Sequence, residues 1–600
     1  MAEEKYETHE YDVLVIGAGG AGLRAAIEAS ARGARTALIC KSLLGKAHTV
    51  MAEGGIAAAM GNVYSEDNWK VHFRDTMRGG KLLNNWRMAQ IHAQEAPARV
   101  LELEEWGALF DRTPDGRILQ RDFGGHRFAR LAHVGDRTGL EMIRTLQQHA
   151  VHKGIDVFME CTMTRLLKDG DRVSGAFGYW RESGRFVAFH SKAVVLATGG
   201  AGKAWKITSN SWEYTGDGIT MAMEAGAELI DMEMVQFHPT GMVWPPSVRG
   251  ILVTVGVRGD GGTLKNTENK RFMFNYIPDF FRAETAETEK EADAWYQDKR
   301  ANRRTPDLLP RDEVARAINS EVKAGRGTPH GGVFLDIASR RSADYIQKRL
   351  PSMYHQFKEL AGVDITKEAM EVGPTCHYIM GGVRVDGETT ATTVPGLFAA
   401  GEVAAGLHGA NRLGGNSLSD LLVFGRRAGQ FAAEYAKKLP GRNAAGADQL
   451  GAITRDLLAP FESKGGENPY AIHMELQDCM QNLVGIIRTE SELKKALVEI
   501  ARFRERLGRI SVEGNRQYNP GWHLALDLRT MLAVSEACTL SALERKESRG
   551  GHTRDDYPKT DPNLAKVNMV TRRKNGALTI TPEPRPEMPD DLKQLLEEQK

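Results

Sequence analysis

Cysteine is scarce in this sequence, and the few cysteines are far apart. The chain of 600 residues contains five, at positions 40, 161, 376, 479 and 538, and no C-x-x-C pair occurs. This spacing excludes the usual cysteine ligand sets of structural zinc and iron–sulfur sites. Scattered, unpaired cysteines are also typical of proteins from a reducing compartment. We therefore expect a chain with no metal site of its own.

An excess of charge and long apolar runs are lacking as well. The 79 Lys and Arg residues balance 78 Asp and Glu residues, and the net charge of +1 gives no global field that favours nucleic acid. No uncharged apolar run approaches the ~20 residues that a membrane helix needs. The first residues, MAEEKYETHEYD, are acidic and polar, unlike a signal or transit peptide. We expect a protein that has no transmembrane segment, reaches a membrane only through a partner, and does not bind nucleic acid.

Glycine, by contrast, is abundant, and one glycine cluster has an informative context. Residues 11–16 predict a buried strand, residues 23–33 a helix that ends at Gly33, and residues 34–40 a second strand. This order predicts a dinucleotide-binding unit in which the helix N-terminus binds a pyrophosphate. A glycine-rich turn without a ligand is the alternative. The turn between the first strand and the helix is a G-x-G-x-x-G that consists of Gly17, Ala18, Gly19, Gly20, Ala21 and Gly22.

The residues after the second strand depart from the usual pattern. An Asp or Glu commonly ends that strand and binds the ribose, but residues 40–42 here are C-K-S. Backbone groups or another side chain must then hold the ribose. The next loop contains His48, before a turn at Gly54 and Gly55. A single loop histidine is usually a surface or structural residue, so His48 alone predicts no chemistry.

Three later segments give local predictions. Residues 192–205 predict another strand that runs into glycines, and the TGDG of 215–218 opens a helix. Asp217 in that turn is either the N-cap of the helix or a cofactor contact. A further helix is expected to begin at Arg311, after a proline. Another is expected after Thr489, which has the T-x-x-E spacing of a capping box.

The order of these segments predicts an α/β protein in which a Rossmann-like cofactor-binding domain is split. The two parts of that domain are expected at 1–241 and 356–440, around an inserted α+β capping domain at 242–355. A helical domain is expected at 441–560. The Pro-rich, acidic residues 561–600 predict a loose tail or a partner-docking arm.

Spaced sequence blocks between residues 11 and 558 resemble a single family in its own order. They are GAGGAG, HTV followed by GGI, QFHPTG, LVT with RGDGG, PRDEVAR, GPTCHYIMGG, GLFAAGE, HGANRLGGNSL and ESRGGHTRDDYP. With these blocks the chain closely resembles the flavoprotein subunit of succinate dehydrogenase and fumarate reductase, the respiratory complex II family. The resemblance implies oxidation of succinate to fumarate by hydride transfer to FAD. It also implies electron transport to an iron–sulfur subunit and then to quinone.

The resemblance further implies where the cofactor is held. The histidine of the HTV block is covalently bonded to FAD in this family, which implies that role for His48. An imidazole substituent makes the flavin more oxidising, which helps it to take a hydride from an unactivated CH–CH bond. Glu402, an isolated charge after a strand, is the candidate for the missing ribose acid. The implied FAD contacts are Gly17, Ala18, Gly19, Gly20, Ala21, Gly22, Lys41, Ser42, His48, Thr49, Gly54, Gly55, Asp217, Glu402, Ser417 and Leu418.

The substrate has two carboxylates, and the family places separate donors on each. The resemblance implies that Arg412 and His377 bind one carboxylate, and that His238 and Thr254 bind the other. Arginine suits this role because its fork of donors matches a carboxylate. Each histidine alone would more often be a structural residue, and only its family neighbours favour the functional interpretation.

The same resemblance implies a proton path with one departure. Arg311 matches the proton-transfer residue and Arg258 matches the relay arginine. The family usually has a Glu after the threonine of the LVT block, where this chain has Val255. Asp260, Asp312 or water could replace that carboxylate.

Three alternatives stay open at this point. The first is fumarate reductase, which runs the reaction in reverse. The second is an enzyme like L-aspartate oxidase, which shares the fold but lacks the flavin-linking histidine. The third is a non-enzymatic dinucleotide-binding module. For the favoured interpretation we expect an iron–sulfur partner and one or more membrane anchor subunits, with the capping domain acting as a lid. Since no transit peptide is seen, we expect a peripheral position on the cytoplasmic face of a bacterial inner membrane; a processed mitochondrial form would look similar.

Overall fold

The computed structural model describes residues 5–441, 446–463 and 465–597. Its strands are β1 (Glu7–Ile16), β2 (Thr36–Ile39), β3 (Ile56–Ala57), β4 (Gln120–Arg121), β5 (Leu131–Ala132), β6 (Asp156–Phe158), β7 (Cys161–Asp169), β8 (Arg172–Trp180), β9 (Phe186–Leu196), β10 (Leu229–Ile230), β11 (Val235–Met242), β12 (Thr263–Lys265), β13 (Val333–Asp336), β14 (Met370–Ile379), β15 (Gly382–Val383), β16 (Leu397–Ala399), β17 (Val567–Lys574) and β18 (Ala577–Pro584). Its α-helices are α1 (Gly20–Ala31), α2 (Trp69–Gly79), α3 (Trp86–Glu105), α4 (Thr138–His152), α5 (Asp217–Ala225), α6 (Gly256–Gly259), α7 (Glu289–Trp295), α8 (Arg311–Lys323), α9 (Ala343–Arg349), α10 (Pro351–Ala361), α11 (Asn416–Lys437), α12 (Ala447–Glu462), α13 (Pro469–Leu483), α14 (Glu490–Leu507), α15 (Pro520–Glu544) and α16 (Asp590–Glu597).

The central sheet confirms the predicted Rossmann-like arrangement. Its strand order is β6-β2-β1-β9-β8-β7, and β16 also pairs with β9. β1 runs parallel to β2 and to β9, and β7, β8 and β9 are antiparallel. Residues Val13 to Ile16 are at most 5% exposed, and α1 and α11 pack against β1. β1 begins at Glu7, earlier than the predicted residue 11.

Glycines bring α1 close to the turn that precedes it. A Cβ on Gly22 would lie 1.7 Å from the carbonyl oxygen of Gly17, and a Cβ on Gly17 would lie 2.2 Å from the carbonyl oxygen of Ala197. Gly17 also has φ +108°, a conformation that disfavours any side chain. The close approach fixes the N-terminus of α1 at the carboxyl ends of β1 and β9, where an α/β sheet binds its ligand.

The inserted domain is built on a second sheet with the order β11-β14-β13-β12. Its own apolar core runs from Met242 to Val372, with α8 and α10 packed against the sheet. α8 begins at Arg311, which confirms the predicted start. The cap core therefore continues beyond the predicted boundary at residue 355, because β14 belongs to the same sheet as β12 and β13.

The C-terminal part contains a helical bundle and a folded terminal segment. Thr489 caps α14 and its hydroxyl accepts from the backbone N–H of Glu492, which confirms the predicted start of this helix. The Glu492 carboxylate accepts from the Thr489 hydroxyl. The prediction of a loose tail is wrong, because β17 pairs with β10 and forms a hairpin with β18. α16 follows, and its Leu592 is 2% exposed. Among the helices of the described residues, none combines the length and the apolar composition required to cross a bilayer.

Candidate active site

A cleft lies between the central sheet and the cap. Its empty space, including the part open to solvent, is about 1520 Å³. Within the described ranges, every residue that the sequence predicted for the site lines this cleft, except Gly22 and Arg258. What each of these residues does stays a prediction. The lining includes Gly17, Ala18, Gly19, Gly20, Ala21, Lys41, Ser42, His48, Thr49, Gly54, Gly55, Asp217, His238, Thr254, Arg311, His377, Glu402, Arg412, Ser417 and Leu418.

One end of the cleft has the chemistry of a phosphate site. The first turn of α1 presents backbone N–H groups to the cleft, and the N–H of Gly20 donates to the hydroxyl of Thr49 at 3.3 Å. Thr49 thus touches the turn that the sequence assigned to the pyrophosphate. The positive end of a helix dipole favours an anion here. These groups fit the pyrophosphate of a dinucleotide.

The end of β2 carries a buried ion cluster instead of a single acid. Lys41 Nζ lies 3.0 Å from Asp217 and 2.7 Å from Asp527, and it donates to the hydroxyl of Thr215 at 2.9 Å. Burial by itself lowers the pKa of Lys41, but the two carboxylates outweigh it and raise the pKa. Gly216, and not Asp217, is the N-cap of α5, so the N-cap alternative for Asp217 is wrong. Carboxylates do flank the place where this fold binds a ribose, and they come from α5 and α15.

Glu402 lies at a different place in the cleft. It is 5% exposed, and its Oε1 accepts from the backbone N–H of Ile379 at 3.0 Å. A Cβ on Gly200 would lie 2.4 Å from the same oxygen. Burial raises the pKa of Glu402 to about 8, against the lowering effects of the Ile379 N–H and the charge of Arg412. The raised pKa favours the neutral carboxyl group, which can donate a hydrogen bond to a ligand.

His48 fits a covalent cofactor. Its ring packs edge-on against Tyr214, with ring centroids 4.9 Å apart. Nε2 lies 3.4 Å from the amide nitrogen of Asn210, and the buried Nδ1 has no hydrogen-bond partner in the part of the chain that is described. Burial, assisted by the charge of Arg412, lowers the pKa of His48 to about 4. The imidazole is neutral at pH 7, so it has a lone pair that can carry a substituent.

Arg412 and His377 lie near each other in another part of the cleft. The guanidinium of Arg412 is 4.4 Å above the ring of Tyr378, and its Nη1 donates to the hydroxyl of Ser417 at 2.7 Å. Its Nε is buried without a partner among the described residues. Burial and the charge of Arg412 lower the pKa of His377 well below its usual value. Nδ1 of His377 is 2.7 Å from the hydroxyl of Ser209.

His238 and Thr254 approach the same space from the cap side. The ring centroids of His238 and His377 are 5.2 Å apart, and the angle between the ring planes is 64°. Nδ1 of His238 is 2.8 Å from the carbonyl oxygen of Thr240, and the buried Nε2 is unpartnered within the described ranges. Burial and the nearby charge of Arg311 lower the pKa of His238 well below 6.5. The hydroxyl of Thr254 accepts from the N–H of Gly256 at 3.2 Å, so its proton is free to be donated.

Arg311 completes this end of the cleft. It is the first residue of α8, and its Nη1 donates to the side-chain oxygen of Gln236 at 3.2 Å. Its guanidinium is 6.0 Å from the ring centroid of Phe123. Burial, then the charges of Arg412 and Arg258, lower the pKa of Arg311 well below that of a free guanidinium. Over the described ranges, none of Arg258, Arg311 and Arg412 forms a salt bridge with a carboxylate of the chain. The cleft thus presents guanidinium groups that have no direct carboxylate contact among the described residues.

The surroundings of Val255, which stands where the resembled family usually has a Glu of the proton relay, are apolar. Val255 is 2% exposed and packs in a cluster with Phe123, Leu131, Trp295 and Leu308. That cluster supplies no carboxylate to the cleft.

The polar groups near Val255 have other contacts. Arg258 donates to the carbonyl oxygen of Asp307 at 2.6 Å, and its Nε and Nη2 are buried without partners in the described chain. Burial lowers the pKa of Arg258 to about 10. Asp260 lines a separate cavity between the cap and the central domain, and accepts from Tyr345. Asp312 accepts from the side chain of Asn411.

Sequence reasoning missed several residues of the site. Gln236 and Asn411 lie inside the QFHPTG and HGANRLGG blocks, so the blocks themselves were the available signal. Ser209 and Asn210 belong to a segment without a recognised block, and they reach His377 only in the folded chain. Asp527 is 486 residues from its partner Lys41, and no local pattern indicates that contact.

Comparisons with known proteins match most of the chain. A family model described as "FAD binding domain" matches residues 12–418, and one described as "Fumarate reductase flavoprotein C-term" matches residues 473–588. The chain is 43% identical to one subunit of the fumarate reductase (CoM/CoB) of Methanothermobacter marburgensis, over 94% of this chain and 98% of that protein. It is 38% identical to the "Succinate dehydrogenase flavoprotein subunit" of Coxiella burnetii, over 92% and 91%.

Solved structures agree with these matches. The structure of Mycobacterium smegmatis Sdh1 in complex with UQ1 is 60% identical in sequence, has a TM-score of 0.85, and covers 98% of this chain and 96% of that chain. A structure of the E. coli quinol fumarate reductase is 35% identical, has a TM-score of 0.88, and covers 96% and 97%.

Proposed function

The chain belongs to the family of succinate dehydrogenase and fumarate reductase flavoprotein subunits, and we propose that it oxidises succinate to fumarate, with fumarate reduction as the same reaction in reverse. One observation carries this proposal. Arg311, Arg412 and two histidines converge beside a dinucleotide site, and the described chain offers these arginines no carboxylate partner. A four-carbon dianion supplies the missing negative charge, since buried positive charge is costly unless it is paired.

The site residues divide the work of binding between the two carboxylates. Arg412 and His377 would hold one carboxylate, with Arg412 fixed by the Tyr378 ring and the Ser417 hydroxyl. His238 and Thr254 would hold the other. Two anchored ends fix the central carbons of the substrate, and such positioning contributes much of the rate of a bound reaction.

Arg311 would handle the proton at one central carbon. When bound, FAD would supply the two-electron acceptor for the hydride of the other carbon. Arg311 would take the proton during oxidation and return it during reduction. Burial, and then the neighbouring charges of Arg412 and Arg258, lower the pKa of Arg311 and so make it a stronger acid than free arginine. It still rests in the protonated form, so it passes on one proton as it receives another.

We also propose that FAD is covalently attached at His48. The neutral ring with its unpartnered Nδ1 supports this, and it argues against an enzyme like L-aspartate oxidase, which lacks that histidine. Denatured, washed protein should keep flavin fluorescence on a gel. His48→Ser should release all flavin on denaturation but keep it in the native state, whereas free flavin from the wild type would contradict the attachment.

The electrons of the reaction are proposed to leave through an iron–sulfur subunit and one or more membrane anchor subunits to quinone. Related structures solved with UQ1 and with menaquinol molecules support a quinone partner. We propose a peripheral position on the cytoplasmic face of a bacterial inner membrane. Purification from native membranes tests this, because the partner chains should co-purify; recovery of the flavoprotein alone would contradict it.

The direction of the reaction is tested by assays of the purified complex both ways. Succinate oxidation is followed with an artificial acceptor and fumarate reduction with a reduced viologen dye. Arg311→Ala should abolish both activities per bound flavin, whereas Arg249→Ala, an exposed cap arginine, should change neither. A wild type that is active with neither substrate would refute the proposed function.

A further inference from the structure

Gln236 joins the two arginines that the reaction needs. Its Oε1 accepts from Arg311 Nη1 at 3.2 Å, and its Nε2 donates to the backbone carbonyl of Arg412 at 2.7 Å. Gln236 is 1% exposed. A guanidinium can only donate and a carbonyl can only accept, so these two neighbours fix which end of the amide faces which arginine. Arg311 hydrogen-bonds to no other side chain within the described ranges.

The chain of hydrogen bonds continues away from the cleft. Gln236 Nε2 also donates to Asn411 Oδ1 at 2.9 Å, and Asn411 Nδ2 donates to Asp312 Oδ1 at 3.0 Å. The other oxygen of Asp312 lies 3.4 Å from Arg316 and 3.9 Å from Lys81. Every link has the same polarity, from the guanidinium to the carboxylate, and aligned hydrogen bonds of this kind strengthen one another at low dielectric.

The chain begins and ends on neighbouring residues of one helix. Arg311 and Asp312 are the first two residues of α8 in the cap, whereas Gln236 is on β11 and Asn411 precedes α11. Two ties at the same helical turn fix both its rotation and its distance from Arg412. Amide groups do not carry a proton at neutral pH, so the chain sets a geometry and does not transport the proton.

We propose that Gln236 and Asn411 are positioning residues that aim the Arg311 guanidinium at the substrate carbon and register the cap on the Arg412 loop. This inference rests on the proposed function, because it assigns a role for the proton-transfer arginine. The apolar surroundings of Val255 give Arg311 no carboxylate to orient it. Orientation therefore comes from the amide side.

Reversal of one link tests this positioning. Asn411→Asp removes the donor that faces Asp312 and places two carboxylates together, whereas Asp312→Asn keeps an acceptor and serves as the matched control. In the double variant the amide at 312 donates to the carboxylate at 411, whose second oxygen still accepts from Gln236. The chain is then restored with one link reversed.

All variants are assayed as the purified complex, per bound flavin. Asn411→Asp should lower kcat for succinate about 10- to 100-fold with little change in KM. It should also raise the isotope effect with deuterated succinate. The double variant should recover to within about 3-fold of Asp312→Asn, since the broken link is remade. If Asn411→Asp does not assemble, Asn411→Ala should show the same loss of kcat without the added charge.

The outcomes separate this inference from the proposed function. An unchanged kcat in Asn411→Asp, or a double variant no better than that single variant, would overturn the positioning role. In both cases an active wild type leaves the proposed function intact. An inactive wild type would instead refute the proposed function itself.

Discussion

When a dicarboxylate binds, the protein should take up one proton. We expect His238, and not His377, to bind that proton. Nδ1 of His238 lies 2.8 Å from the carbonyl oxygen of Thr240 and 3.3 Å from the backbone nitrogen of the same residue. The shorter contact favours a proton on Nδ1, which leaves Nε2 bare. A bare nitrogen cannot donate to a carboxylate. Nδ1 of His377 faces the Ser209 hydroxyl, which can donate and leave the proton on Nε2. His238 must therefore be protonated when the dianion binds, whereas His377 need not be.

The magnitude follows from linkage. The pKa of free His238 is well below 6.5, because the ring is buried and close to Arg311, and the bound carboxylate raises it. Between the pKa of the free site and the higher pKa of the complex, affinity should fall about tenfold, or about 1.4 kcal/mol, for each unit that the pH rises. Below the free pKa the ring is protonated before the ligand binds, and above the pKa of the complex it is protonated in neither state, so the affinity should level off on both sides.

Calorimetry of the oxidised holoenzyme with malonate measures this uptake. Malonate is a dianion with a single methylene carbon, so it cannot be dehydrogenated. Titrations in two buffers with different ionisation enthalpies give the number of protons bound. We expect an uptake of about one proton per malonate for the wild type and for His377→Asn. We expect no uptake for His238→Asn, because the Asn amide donates a hydrogen bond without having to be protonated first. Uptake that persists in His238→Asn, or is absent from the wild type, would refute the tautomer assignment.

Three further expectations concern other parts of the site and the core. Val255→Glu should have a kcat for fumarate reduction at least about tenfold higher than that of the control variant Val255→Gln, measured with a reduced dye as electron donor. Equal rates in the two variants would show that the proton does not pass this position. Lys41→Met leaves Asp217 and Asp527 facing each other, so chemical denaturation should show a loss of about 3 kcal/mol and weaker FAD retention, and an unperturbed midpoint would contradict this. His92 is fully buried, and burial lowers its pKa to about 3. Between pH 6.5 and 3 only the unfolded state binds the proton of this histidine, so the stability of the fold decreases as the pH drops through that range. In His92→Gln the Tm should fall less between pH 7 and 5 than in the wild type, and an identical fall would show that His92 does not cause the acid sensitivity.

The nucleotide-binding unit could be predicted because its signals are local. The apolar strand, the glycine turn and the helix are contiguous, and the structure places them as expected. The ends of the elements were less exact, since β1 extends to Glu7 by pairing with β9, a contact that the local sequence does not encode.

The terminal hairpin shows a signal that was present but outweighed. Asn575 and Gly576 have φ of +50° and +83°, as a two-residue hairpin turn requires, and this dipeptide is a strong hairpin signal. The nearby prolines and acidic residues favoured a loose tail instead. The structure shows that pairing with β10 decides the outcome.

The side-chain contacts that the sequence could not predict join residues far apart in the chain. The Gln236–Asn411 bond spans 175 residues, and the Lys41–Asp527 pair spans 486. Neither partner has a neighbour in sequence that indicates the other. Blocks of residues can identify such side chains as members of a site, but their hydrogen-bond geometry depends on how three domains meet.

The tie between Lys41 and Asp527 has a consequence for how the protein is made. Synthesis proceeds from the N-terminus, so the glycine turn at Gly17 emerges from the ribosome long before α15 does. Until then Lys41 lacks one of its two carboxylate partners. The ion cluster beside the cofactor cleft is therefore completed late in biogenesis, and a nascent chain arrested before Asp527 carries the fingerprint of a flavoprotein with Lys41 paired to Asp217 alone.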